Sequence, residues 1–198
     1  MHSYSVDFIE RRNIPFYIAA AAATYALKTI VDYFKFNFDT GAYIPSGFAA
    51  YGLIYILFDK YLWKFGALRR IGLVSTPDLS GVWSGELKSS LSDLTRTLQI
   101  TVRIHQTWTA MRVTLDTDKS FSASEMSCIR AVSITEFEFR WEYRAESKEG
   151  AEPFAHRGVT NLRLQLREGK VQPEMRGDYY TQHGRDTNGT IFLKRTEP

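Results

Sequence analysis

The stretch Met175–Gly189 reads MRGDYYTQHGRDTNG and brings Arg176, Arg185, His183 and two adjacent tyrosines close together. Guanidinium groups hold phosphate through paired hydrogen bonds, and tyrosine rings offer faces on which nucleobases stack. The set therefore suits an anionic, aromatic ligand. It does not suit catalysis, since the chain lacks Gly-x-Ser-x-Gly, His-Glu-x-x-His and any phosphate-cradling Gly-rich loop. Glu136 and Glu138 are paired carboxylates, but they fall on the outward positions of an alternating run, where a solvated strand face explains them. Four scattered histidines and a lone cysteine, Cys128, predict no structural metal, no cofactor and no intrachain disulfide. The residues predict a binding protein and no enzyme.

A scaffold must bring these side chains to one place, and the second part of the chain supplies it. From Gly81 onward, period-two alternation recurs between turn residues. It predicts eight strands at about 81–88, 95–106, 108–116, 120–132, 134–145, 158–167, 172–180 and 187–195. In Ile134–Glu146, the residues Phe137, Phe139, Trp141 and Tyr143 share one face; Leu162, Leu164 and Leu166 do the same further on. Eight antiparallel strands on short links fit an up-and-down barrel, whose interior takes side chains or one small ligand. A Gly81-x-Trp83 entry favours that barrel, with Lys194 or Arg195 as the cation that stacks on the indole. Strand parity then gives the candidate ligand set at the mouth away from the termini: Arg96, Tyr143, Thr160, Tyr180, Arg185 and Thr187, with Ser122 facing the same way and Tyr179 as the alternative to Tyr180.

The first part is different in kind. Ile14–Leu27 and Ala42–Phe58 carry no charge, close to the roughly 20 apolar residues that a membrane-crossing helix needs. They predict a two-helix transmembrane region over residues 1–76, with helices about 14–34 and 42–62, followed by a cytosolic barrel over 77–198. Aromatic residues crowd the segment ends, and Arg11, Arg12, Lys60, Lys64, Arg69 and Arg70 flank them. By the positive-inside rule both termini and the barrel lie in the cytoplasm of a multi-pass inner-membrane protein. A cleaved signal peptide and a buried soluble hairpin are the competing interpretations; the first leaves Ala42–Phe58 unexplained. Small residues, among them Ala21, Gly47 and Gly52, allow close helix approach, within one hairpin or between several.

The net charge of +3 resides in residues 1–76, where eight basic residues face five acidic ones; residues 77–198 carry 17 of each. A nucleic-acid polymer is thus not the expected partner of the barrel.

The hairpin, the stretch PDLSGVWSGELKSS (Pro77–Ser90) and the closing run Arg176–Arg195 together resemble the CBASS membrane effectors described as SMODS-associated, two-transmembrane and β-strand-rich. The resemblance implies an anti-phage role. A cyclic nucleotide, expected to be a cyclic dinucleotide, is made by a partner CD-NTase nucleotidyltransferase and binds the barrel. The transmembrane helices then assemble into a homo-oligomer, the lipid bilayer of the inner membrane is disrupted, and the infected cell dies by abortive infection. The alternative is a membrane-tethered, lipocalin-like barrel for an apolar ligand, which does not need Arg96 or Arg185 at its mouth.

Overall fold

The structure is a computed structural model that describes residues 1–198 apart from 8–9, 35–39, 91–96, 149–154, 168–169, 183–186 and 198. Side chains of 10–15, 18, 40–48, 50 and 197 also lie outside the described set. The chain forms two compact units, Met1–Asp7 with Thr76–Pro198, and Phe8–Ser75.

The first unit is a barrel. Two short strands, β1 (His2–Ser3) and β2 (Ser5–Val6), precede its main strands, which begin with β3 (Gly81–Ser89), β4 (Thr97–Gln106), β5 (Ala110–Asp116) and β6 (Ser120–Ala131). There follow β7 (Glu136–Ser147), β8 (Ala155–Arg167), the two-residue β9 (Lys170–Val171), β10 (Glu174–Gln182) and β11 (Asn188–Glu197). Consecutive long strands pair antiparallel, and β3 pairs with β11 to close the ring. The eight long strands match the alternation in the sequence to within three residues at the ends that lie inside the described set.

Hydroxyl side chains fix the turns that keep this register. The Thr107 hydroxyl accepts the Ala110 N–H at 3.0 Å, the Thr117 hydroxyl accepts the Ser120 N–H at 2.9 Å, and Ser133 Oγ accepts the Glu136 N–H at 3.0 Å.

The interior nearest the termini is apolar. Trp83, Ile104, Trp108, Met111, Ile129, Phe137, Phe139, Leu162, Leu164, Met175 and Leu193 are all buried there. Trp83 is fully buried, and its indole N–H donates to the Leu79 carbonyl at 3.0 Å. The Arg195 guanidinium lies 4.8 Å from the indole centroid and donates to the carbonyls of Ser80 (2.6 Å) and Asp78 (3.0 Å). Of the two cations expected over Trp83, Arg195 is the one that stacks. Burial lowers its pKa below the ordinary arginine value, and the negative Asp78 opposes that shift.

One place in the wall is irregular. Strands β5 and β6 pair only from Thr114–Asp116 to Phe121–Ala123, and a bulge between Ser124 and Met126 carries β6 away from its neighbour. The N-terminus fills the gap: β1 pairs antiparallel with β5 at Ala110–Met111, and β2 pairs parallel with β6 at Cys128–Ile129.

The second unit contains α1 (Glu10–Phe34), α2 (Thr40–Lys60), a 3-10 turn at Leu62–Lys64 and α3 (Gly66–Arg70). Ala19 and Ala23, one turn apart, are buried, as is Phe58, and Phe16 meets Tyr51 edge-on at 5.7 Å. Large side chains including Tyr17, Tyr25, Ile30, Tyr33, Leu53 and Ile56 remain exposed.

These helices correct the expected architecture. Among the described residues, no helix is long and apolar enough to cross a membrane. The expected two-helix transmembrane hairpin is therefore not shown, and the multi-pass inner-membrane location loses the spans on which it rested. The charge-free runs are real, but α1 also carries Thr24, Lys28, Thr29 and Asp32, and α2 is diluted by tyrosines, glycines, Ser46 and the terminal Asp59–Lys60. An absence of charge is a weaker condition than a sustained high hydropathy. Of the residues named for helix packing, Ala21 is exposed, while Ala19 and Ala23 take the buried positions. Gly52 has open space around it, and the surroundings of Gly47 lie outside the described residues.

Candidate ligand-binding site

Toward the mouth away from the termini, the barrel interior changes from hydrocarbon to hydroxyl. Its inward side chains come in rungs, since register partners on neighbouring strands face the same way. Ser127, Trp141, Thr160, Tyr179, Gly189 and Ser89 are successive partners across β6, β7, β8, β10, β11 and β3. The next rung toward the mouth runs Ser124, Tyr143, Gly158, Thr181. Above it are Ser122, Ala145 and His156.

Glycines make room for the two tyrosines. A Cβ on Gly158 would collide with the Tyr143 hydroxyl and come 2.8 Å from the Tyr180 carbonyl oxygen. A Cβ on Gly189 would lie 2.7 Å from Tyr179 Cε1 and collide with the Lys88 carbonyl. The His156 ring sits edge-on to Tyr143 with centroids 6.2 Å apart. At the end of β10, the Thr181 hydroxyl accepts the Thr187 N–H at 3.0 Å and lies 2.8 Å from the Thr187 hydroxyl, so the two threonines close one corner of the lining.

The structure thus brings three of the six candidate residues together: Tyr143, Thr160 and Thr187 are all buried in this lining. Tyr180 is not among them. It is 38% exposed whereas Tyr179 is 6% exposed, so Tyr179 fills the inward position. Two adjacent tyrosines carry no information about which one faces in; cross-strand register, with Tyr179 opposite Thr160 and Gly189, decides it. Arg96 and Arg185 lie outside the described residues, as does His183. Ser124, Ser127 and His156 join the lining without being among the residues expected there. The bulge in β6 hides Ser127 from a parity count, Ser124 shares the parity of Ser122, and His156 belongs to strand residues ahead of the expected start of β8.

Among the described residues, charge at this end is confined to the rim. Among the described residues of the barrel strands, Arg195 is the one cation that is not exposed, and it lies at the opposite end. Lys148 pairs with Asp116 at 2.5 Å and Arg157 with Glu125 at 3.4 Å. The lining itself offers hydroxyl donors and acceptors with three large rings, Trp141, Tyr143 and Tyr179. It can satisfy the edge of a nucleobase or a phosphate oxygen, polar chemistry of which a purely apolar ligand would make no use. Among the described residues, no three His, Cys, Asp or Glu side chains converge as a metal site requires.

Residues 74–195 match the family model described as Cap15, cyclic dinucleotide receptor domain. The chain belongs to this receptor family. The match spans all eight long strands apart from the last two residues of β11. A curated relative, CD-NTase-associated protein 15 of Yersinia aleksiciae, is 27% identical over 213 residues, covering 99% of this chain and 98% of that protein. Membership of the Cap15 family supports a CBASS effector that receives a cyclic dinucleotide, and a receptor domain is consistent with the absence of enzymatic activity. It does not confirm the SMODS-associated, two-transmembrane description that the sequence resembles.

Proposed function

We propose that this protein is a CBASS effector whose barrel binds a cyclic dinucleotide from a CD-NTase at the hydroxyl-lined mouth. The observation that carries this reading is the match of residues 74–195 to the cyclic dinucleotide receptor domain. The lining supports it with chemistry: Tyr143 and Tyr179 stack the bases, and Thr160 and Thr187 bond to base edges or phosphate oxygens; Arg96 and Arg185, which lie outside the described residues, are the cations that the sequence offers for the phosphates. Binding drives the helical unit to assemble into a homo-oligomer, and that assembly disrupts the inner membrane and kills the infected cell. No step requires a single helix to cross a bilayer. The exposed aromatic and aliphatic side chains of α1 and α2 support assembly, since association would remove them from water.

Titration of the intact chain with cyclic dinucleotides of adenine, guanine and uracil by calorimetry tests the reading. One tight binder among close analogues is the expected result, with light scattering reporting growth in mass at the same concentrations. No binding by any member overturns it. Gly52→Leu separates the two steps. A Cβ there meets nothing within 4 Å outside the backbone of its own helix, so the fold and ligand affinity should hold while ligand-driven assembly falls. Assembly unchanged in this variant would take Gly52 out of the contact between copies.

A further inference from the structure

The N-terminal residues form part of the barrel wall, and their bonds connect the candidate ligand lining with the chain's route into the helical unit. The His2 ring bonds at both nitrogens: Nδ1 lies 3.1 Å from the Ser3 carbonyl oxygen and Nε2 lies 2.7 Å from the Ser124 hydroxyl. Ser124 Oγ in turn accepts the Val113 N–H at 2.9 Å, so one hydroxyl bridges β5, β6 and the N-terminus where the wall splits. Ser124 is also the register partner of Tyr143 in the lining. Tyr4, buried in the seam, donates its hydroxyl proton to the Thr107 carbonyl at 3.2 Å and accepts from Gln106 Nε2 at 2.9 Å. The same Gln106 amide donates to the Pro77 carbonyl at 3.1 Å and accepts the Leu79 N–H at 2.8 Å. A single buried side chain therefore holds the chain just before it leaves the barrel at Asp7 and just after it returns at Thr76.

We propose that Met1–Asp7 is a latch, seated in the split between β5 and β6, whose release is the movement by which ligand binding acts on the helical unit. The proposal rests on the receptor reading above. The latch is held by two-residue ladders and a few side-chain bonds, whereas β6 and β7 are paired along most of their length. It is thus the wall segment that opens at least cost, and its two positions are discrete because strand pairing is either made or lost. A ligand shifts such an equilibrium only through differential affinity for the two states. The Ser124 hydroxyl supplies that difference: a ligand group that takes it for itself removes the bond to His2.

The test uses the lone cysteine. Ser5 and Cys128 are register partners, Ser5 is exposed and Cys128 half-buried, and neighbouring strands lie within the span of a disulfide. Full-length Ser5→Cys is oxidised to tie the latch to β6, then reduced to free it, and both forms are titrated with the same cyclic dinucleotides. The reduced form is expected to bind and assemble as the unmodified protein does. The oxidised form is expected to bind about tenfold more weakly and to stay unassembled, with recovery on reduction. Equal assembly by both forms overturns the latch and leaves the receptor reading standing. Failure of the pair to cross-link overturns it too, because the register requires their proximity. Absence of binding by the reduced form and the unmodified protein alike defeats the receptor reading, and the latch with it.

Discussion

Trp83→Ala is expected to remove much of the barrel's stability, by about 3–5 kcal/mol from the lost ring and the cavity left behind. The variant also deprives the Leu79 carbonyl of its donor and leaves the Arg195 guanidinium partly buried without the ring beneath it. Both losses add to the cost, since a buried polar group without its partner keeps its desolvation penalty. Against a domain stability of about 5–15 kcal/mol, the sum should populate the unfolded chain at ordinary temperature. Urea unfolding measures it as a lower midpoint at constant slope. Trp83→Phe, which keeps a ring under Arg195 and loses the N–H, should recover more than half of the loss. A shift below 1 kcal/mol in the alanine variant would mean that this end of the barrel does not unfold with the rest.

The second large effect is expected at the opposite end. Stacking of a base on an aromatic side chain contributes about 1–3 kcal/mol, so removing two rings weakens binding about 30-fold or more. Tyr143→Ala with Tyr179→Ala should show that loss in calorimetry. Tyr143→Phe with Tyr179→Phe retains both stacking faces and should keep most of the affinity. Tyr180→Ala serves as the outward control and should stay within about twofold. The reverse pattern, with Tyr180 sensitive and the inward pair silent, would move the ligand to the outer surface of β10.

The strands were legible because each has one buried and one solvated face. Phe137, Phe139 and Trp141 alternate with Glu138, Arg140 and Glu142, and no other element yields that period. Where the period breaks, the sequence no longer shows which side chains face in. The bulge in β6 places Ser124 and Ser127 inward although they are three residues apart. Tyr179 and Tyr180 differ in facing by register alone. The helices differ for another reason: Ile14–Leu27 and Ala42–Phe58 are free of charge, but tyrosine and threonine in the first and tyrosine, serine and glycine in the second lower hydropathy without adding charge. Strands β1 and β2 left no trace at all, since two residues are too few for a period. Only long-range pairing with β5 and β6 reveals them.

The pairing of the N-terminus with β5 and β6 also determines how the protein can be cut. The barrel is a discontinuous domain, encoded by seven residues at the start of the chain and the stretch from Thr76, with the helices as an insertion between them. A fragment begun at Thr76 would contain all eight long strands and still lack a section of wall. Main-chain groups of β5 and β6 that β1 and β2 now satisfy would face water, and an open strand edge recruits other chains. Association seen with such a fragment would therefore report the missing residues, not the response to a ligand. A bulky fusion at Met1 risks the same artefact by prising His2 from Ser124. A faithful minimal receptor would join the first seven residues to Thr76 through a short linker in place of the helices.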